Sequence, residues 1–386
     1  MSTKHTFPAQ LWRWSLGLCC LMLIFSWPGR AVAEPAAAKS IFVLHSYHPG
    51  LAWTDGIMAG LQETFATSGE TIQLHVDYLD TKRYHAPEYI TDFLEQILPY
   101  KIENQTFDLL LTSDNDAFNF ALKYRHDLFR GKPIIFCGVN GYGPQMLQGL
   151  DGITGVAEEP AVRETLELAL QLHPQTQTII VIGSTQDVSG PLIQEQVAAG
   201  SADLAQKVKF IFWNDLRWEE IEQSVPALPA DSLIFLTSVI REGSGRVFDY
   251  TETARAVRGL SQVPIYGLWE FFLDQGIVGG KLLSAPEQGR LAAELALRVL
   301  RGEDPASLPV IKGEANQYLF DDKELKRFQL SAAQLPPGSQ VINRPPPFYR
   351  IDKWQFWMGL GVIAALVIVT ALLLRNIRAR LASETA

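Results

Sequence analysis

Trp354–Leu374 (WQFWMGLGVIAALVIVTALLL) is a run of about 21 uncharged residues. At about 1.5 Å rise per residue such a helix is about 31 Å long, the thickness of the hydrocarbon core of a bilayer. Trp354, Phe356 and Trp357 crowd one end, where aromatic rings favour the membrane interface, and Arg375, Arg378 and Arg380 follow the other. A core helix of this length normally keeps a polar face, and this segment has none. A membrane-spanning helix is therefore expected over 354–374, with everything before it on one side of the membrane.

The N-terminus indicates which side. Residues 1–33 begin with Lys4, His5 and Arg13, continue through an apolar run Leu16–Trp27, and end in Ala31-Val32-Ala33. That order is the pattern of a cleaved secretory signal, with Glu34 first in the mature chain. Leu18 before Cys19, and Cys19 before Cys20, are not the small residue that lipidation requires. Residues 34–353 are thus expected outside the inner membrane of a bacterium, in the periplasm, and 375–386 in the cytoplasm. Losing Lys4, Arg13 and Arg30 takes the formal net charge from −9 to about −12. Such an acid excess argues against nucleic acid and against docking on anionic lipid. The mature part keeps one cysteine, Cys137, so no internal disulfide can staple it. Its length exceeds what one hydrophobic core usually holds, and two lobes are expected.

Short apolar runs recur along that part: Ile41–Leu44, Phe107–Leu111, Pro133–Phe136, Ile179–Ile182, Phe210–Phe212, Leu233–Leu236 and Pro264–Tyr266. Strands apolar on both faces belong to parallel sheets covered by helices. Helical patterns lie between them at Trp53–Ser68, Ala86–Lys101, Ala117–Phe129, Val162–Leu172, Gly190–Gln206 and Asp249–Arg258. The fold class expected is α/β, two doubly wound parallel sheets plus one C-terminal transmembrane helix. The pattern restarts near Gly152–Val156. A well-marked helix follows Gly279-Gly280, with Ser284 at its cap, Pro286 in its first turn and Gly302 at its end. Lobe 1 is expected to hold about 40–157 and 277–303, lobe 2 about 158–276 and 304–335. Prolines 336, 337, 345, 346 and 347 then suggest an extended stalk over 336–353.

The order of several short motifs carries a resemblance. Ser46-Tyr47-His48 follows the first strand, Ser113-Asp114-Asn115 the third and Gly138-Val139-Asn140 the fourth. Later come Gly279-Gly280, Gln288-Gly289, Gly302-Glu303-Asp304-Pro305, Leu335-Pro336 and Val341-Ile342-Asn343. Over roughly 41–345 the chain resembles the ABC-transporter substrate-binding-protein-like family, which has the type I periplasmic-binding-protein fold. The resemblance implies two hinged lobes and a solute site. Some members resemble free partners of importers, others the outer sensor of a membrane-anchored signalling protein.

In open α/β sheets ligands bind beyond the carboxyl ends of the strands. In the first lobe this rule nominates Ser46, Tyr47, His48, Trp53, Asp114, Asn115 and Asn140. In the second it nominates Ser184, Thr185, Thr237, Ser238, Trp269 and Glu270. Rings, hydroxyls, amides and carboxylates together suit a small polar or amphipathic solute. Asp114 with Asp116, or Glu270, is placed to hold an ammonium group, which makes an amino acid one candidate. No catalytic elbow, phosphate loop or dinucleotide fingerprint occurs, and the histidines lack metal-ligand spacing, so no enzyme, cofactor or metal is expected.

The function expected is sensing of that solute by cleft closure, passed through the single membrane helix. A tethered receptor for an ABC permease is the alternative. The short segment after the helix offers no output domain, so a sensor is expected to act through a separate signalling protein or to be part of a longer chain.

Overall fold

The structure, a computed structural model, describes residues 38–84, 88–89, 95–103, 105–147, 149–186, 189–239, 244, 248–345 and 352–384. The expected signal segment lies outside the described residues.

Among the described residues three sheets build the part before the long C-terminal helix. The first is wholly parallel and contains β1 (Lys39–His45), β2 (Ile72–Tyr78), β3 (Leu109–Ser113), β4 (Ile134–Asn140), β5 (Ile153–Glu158) and β11 (Ile311–Lys312). Its strand order is β11-β5-β4-β3-β1-β2. Every residue of β3, β4 and β5 is buried, as strands covered on both faces must be, whereas the edge strand β2 is only half-buried. The second sheet is also parallel, with β6 (Thr178–Gly183), β7 (Lys209–Asn214), β8 (Ser232–Leu236) and β9 (Ile265–Gly267) in the order β7-β6-β8-β9. The α/β architecture expected from the recurring apolar runs is therefore present.

In each sheet the chain lays one strand beside the first, then crosses to its other side. The direction reverses between β1 and β3 in one sheet and between β6 and β8 in the other. Such switch points open a crevice at the strand ends, where the flanking loops diverge.

The helices that flank the crevice are α1 (Ala52–Thr67), α3 (Asp114–Lys123), α5 (Gly190–Ser201) and α7 (Tyr250–Leu260), with α2 (Glu95–Glu103), α4 (Val162–Leu172) and α6 (Trp218–Ser224) elsewhere on the sheets. The late helix α8 (Ala285–Leu300) starts as the sequence indicates, the Ser284 hydroxyl accepting the Glu287 N–H at its cap. It returns to the first sheet and lies against α1 at very short range. A Cβ on Gly289 would sit 2.1 Å from the Ile57 carbonyl oxygen, and one on Gly60 would sit 2.0 Å from that of Pro286. From this position Gln288 reaches into the sheet, accepting the Gly138 N–H at 3.1 Å and donating to the Ala157 carbonyl at 3.1 Å.

A third, small sheet joins β10 (Gly279–Leu283), β12 (Asn316–Asp321) and β13 (Gln340–Ile342), with β10 antiparallel and β13 parallel to β12. It abuts the end of β9 through a bridge between Trp269 and Leu283. Two expectations change here. Ile311–Lys312 pairs with Val156–Ala157, so part of 304–335 completes the first sheet rather than the second. The first residues of the expected stalk, 336–343, pack on the fold instead, and 346–351 lie outside the described residues. Pro336 and Ser339 close a turn, Val341 and Ile342 pack on the core, and Asn343 donates to Asp274 and Asp321 at 2.8 and 3.0 Å. Apolar β-branched residues that can add to an open strand outweigh the extending tendency of the prolines before them.

α9 (Asp322–Arg327) is followed, after the third sheet, by α10 (Lys353–Glu384). Lys353–Arg380 is the one helix among the described residues long and apolar enough to cross a membrane, and none of its apolar window is buried against protein.

Candidate functional site

One cleft collects residues from both switch points. Its lining is Tyr47, Trp53, Asp114, Asn140, Glu158, Ser189, Ile193, Ser238, Tyr250, Trp269 and Phe271, around a cavity of about 20 Å³. Tyr47 follows β1, Asp114 follows β3, and Asn140 and Glu158 close β4 and β5. Ser238 follows β8 and Trp269 follows β9.

The first-sheet side is shaped by a defect. The register of β4 on β5 shifts between Phe136 and Val139, and Gly138 there has φ +65°. A Cβ on Gly138 would lie 2.9 Å from Asp114 Oδ1, so glycine leaves the room the carboxylate occupies. Asp114 itself has φ +66°, a left-handed conformation that costs a non-glycine residue about 1 kcal/mol or more. The Trp53 indole holds it there, donating to Oδ1 at 2.7 Å. Burial raises the Asp114 carboxyl to about 7, against the pull of that hydrogen bond.

Glu158 is the second buried carboxylate. It accepts from the Trp269 indole at 3.0 Å and from the Asn140 amide at 2.7 Å. Burial, and then the Asp114 charge, raise it to about 8. Each carboxylate is thus clasped by one of the two cleft tryptophans. Lys82 is the nearby cation, its ammonium 4.8 Å from the centre of the Tyr47 ring and 3.0 Å from the Ser189 hydroxyl. That hydrogen bond ties the segment after β2 to the start of α5, one side of the cleft to the other. Rings fill the rest of the wall: Phe271 stacks on Tyr250 at 4.8 Å and on Trp269 at 6.0 Å, and meets Trp53 edge-on at 6.4 Å.

Three buried polar atoms in this lining have no hydrogen-bond partner: Asp114 Oδ2, Asn140 Oδ1 and Ser238 Oγ. A buried acceptor or donor without a partner costs about 1–3 kcal/mol, and three in one cleft mark a surface built to meet a polar molecule.

Of the thirteen nominated residues, Tyr47, Trp53, Asp114, Asn140, Ser238 and Trp269 meet in the cleft. The other seven do not line it. Ser46 donates to the Ser113 carbonyl at 2.6 Å and accepts the Ala117 N–H at 2.8 Å, satisfying the start of α3. His48 turns to the Pro49 carbonyl. Asn115 and Asn140 exchange side-chain and backbone hydrogen bonds at 2.9–3.0 Å, which fixes the loop after β4. Ser184 and Thr185 hydrogen-bond to Asp215. Thr237 donates to the Ile182 carbonyl and accepts from Gln194. Glu270 lines a different groove with Glu63, Glu287 and Arg290, because successive side chains of the 3₁₀ turn Glu270–Phe272 point about 120° apart. That rotation puts Phe271 in the cleft beside Trp269 and Phe272 in the core.

The sequence reading missed Glu158, Ser189, Ile193, Tyr250 and Phe271. Glu158 was within reach of the strand-end rule, since it is the last residue of β5. Ser189, Ile193 and Tyr250 sit on helix N-termini whose rotation the sequence does not fix.

Comparison with protein-family models finds no match, and neither does comparison with curated proteins. Solved structures do match. An ABC domain in complex with L-Trp from Streptococcus pneumonia superposes with TM-score 0.59 at 18% identity, covering 79% of this chain and 100% of that one. A conserved domain protein from Vibrio cholerae gives TM-score 0.56 at 14% identity over 79% and 99%. A ligand-free, open substrate binding protein with adhesive properties from Clostridium difficile gives 0.55 at 16% identity over 79% and 99%. The chain has the type I periplasmic-binding-protein fold.

Proposed function

We propose that the chain is a membrane-anchored extracytoplasmic solute-binding protein. It holds a small polar or amphipathic ligand, an amino acid among the candidates, between its two parallel sheets, and passes cleft closure to the single membrane helix. The observation that carries this reading is the cleft itself: three unpartnered buried polar atoms and five aromatic rings converge where both switch points meet. The solved structures of the same fold include one complexed with L-Trp, which supports a compact aromatic or amphipathic solute.

A route to the membrane supports sensing. Asp274 lies three residues beyond Phe271 in the cleft wall, and its carboxylate accepts from Asn343, the residue from which the chain leads on to α10. A ligand that bridges Trp269 and Phe271 to the first-sheet residues favours the closed arrangement by the contacts it gains there. On this reading residues 34–353 lie in the periplasm and the helix in the inner membrane, with a separate signalling protein as the partner.

Differential scanning fluorimetry of the detergent-solubilised full chain against amino acids, amines, sugars and organic acids tests the reading. At least one solute is expected to raise the melting temperature of the native protein and to lose that effect in Trp269→Ala. No stabilisation by any of them, with no solute retained in native mass spectra, refutes it.

A further inference from the structure

We propose that the polar head of the ligand is a cation, an ammonium group seated among Asp114, Asn140, Glu158 and Ser238; this rests on the reading of the cleft as a solute site. The atoms left open in the cleft are mainly acceptors. Asp114 Oδ1 is taken by the Trp53 indole, leaving Oδ2 without a partner in a residue only 1% exposed. The Asn140 amide nitrogen is committed to Glu158, which leaves Oδ1 buried and without a partner. The Ser238 hydroxyl adds a third such atom. A primary ammonium carries three N–H donors and no acceptor, the complement of this set.

Charge points the same way. Asp114 and Glu158 both belong to the lining, and among the described residues that lining contains no Arg, Lys or His. The neighbouring Lys82 hydrogen-bonds to Ser189 and lies over the Tyr47 ring. An anionic head would face two acidic groups with, among the described lining residues, no cation to answer it. The rings of Tyr47, Trp53, Tyr250, Trp269 and Phe271 present further surface that attracts a cation.

Proton linkage follows. Among the described residues, Lys82, Asp116, Tyr47, Tyr250 and Cys137 are the other charged or titratable groups around the two carboxylates. With Asp114 raised to about 7 and Glu158 to about 8, the empty cleft holds a proton at neutral pH. The arriving cation replaces that proton, so binding weakens as pH falls.

Isothermal titration calorimetry of the detergent-solubilised full chain with two charge series tests this. The series are phenethylamine, phenylalanine and 3-phenylpropionate, and isoamylamine, leucine and 4-methylpentanoate. Within a series the amine is expected to bind at least about tenfold tighter than the acid, and its affinity to fall about tenfold per pH unit from pH 7 to 5. Asp114→Asn and Glu158→Gln each weaken the amine by about tenfold or more without weakening the acid. Asparagine tolerates the left-handed backbone at 114, so that variant keeps the local geometry. An acid that binds as tightly as its amine, or an amine affinity flat from pH 5 to 8, overturns the cation assignment. So does binding of a sugar or organic acid, lost in Trp269→Ala, where neither amine binds; that result leaves the solute site standing. Absence of binding by every solute removes both.

Discussion

Two carboxylates buried in one cleft make the two-sheet part sensitive to pH in a direction opposite to most proteins. In the unfolded chain Asp114 and Glu158 ionise near their ordinary values of 3.8 and 4.5; folded, they hold protons to about 7 and about 8. A raised carboxyl favours the folded state at low pH, and its contribution is lost as pH climbs from the unfolded value toward the folded one. Between pH 5 and 7 each such group leaves the folded state with close to one extra proton, a slope of about 1.4 kcal/mol per pH unit. Asp114 alone therefore accounts for about 2–3 kcal/mol of lost stability over that interval. Because the two groups repel each other, their effects overlap rather than add. Urea unfolding of the full chain in detergent, followed by tryptophan fluorescence at pH 5, 6, 7 and 8, measures this. Asp114→Asn and Glu158→Gln are expected to flatten the decline relative to wild type, and the double variant to flatten it most. Identical pH slopes in wild type and double variant would refute the argument, because carboxylates that titrate normally store no such proton.

Two other outcomes are expected. Gly289→Ala pushes a methyl carbon onto the Ile57 carbonyl and forces α1 from α8, lowering unfolding free energy by about 1–3 kcal/mol in the same urea assay, with the cleft residues untouched. Disrupting the positively charged flank is expected to leave membrane attachment intact, whereas Val362→Arg with Val367→Arg in the exposed apolar stretch of α10 is expected to release protein into the carbonate-soluble fraction of membranes.

Much of this architecture is legible in the sequence because burial writes it there. Strands such as Leu109–Ser113 and Ile134–Asn140 are covered on both faces, so their residues carry no alternation and stand out as apolar runs. The cap at Ser284 and the glycines of α8 mark the helix that returns to the first sheet. The site was half legible for a related reason. Position beyond a strand end identifies a loop, but not which way its side chains turn. Ser46 and Asn115 occupy the nominated loops and spend their polar groups on backbone. Asp114, between them, is rotated into the cleft by its left-handed backbone and the space at Gly138, neither of which a sequence pattern encodes. The late segments were hardest, since β11 and β13 are two and three residues long and gain their identity from distant partners.

The pairing of β13 with β12 sets a practical boundary. A fragment without the apolar C-terminal helix that stopped at 335 would strip β12 of one of its two neighbours and leave a raw strand edge beside the apolar bed of Val341 and Ile342. Such a fragment should self-associate. Carrying the cut past Asn343 keeps that edge sealed and leaves the lipid-facing helix behind.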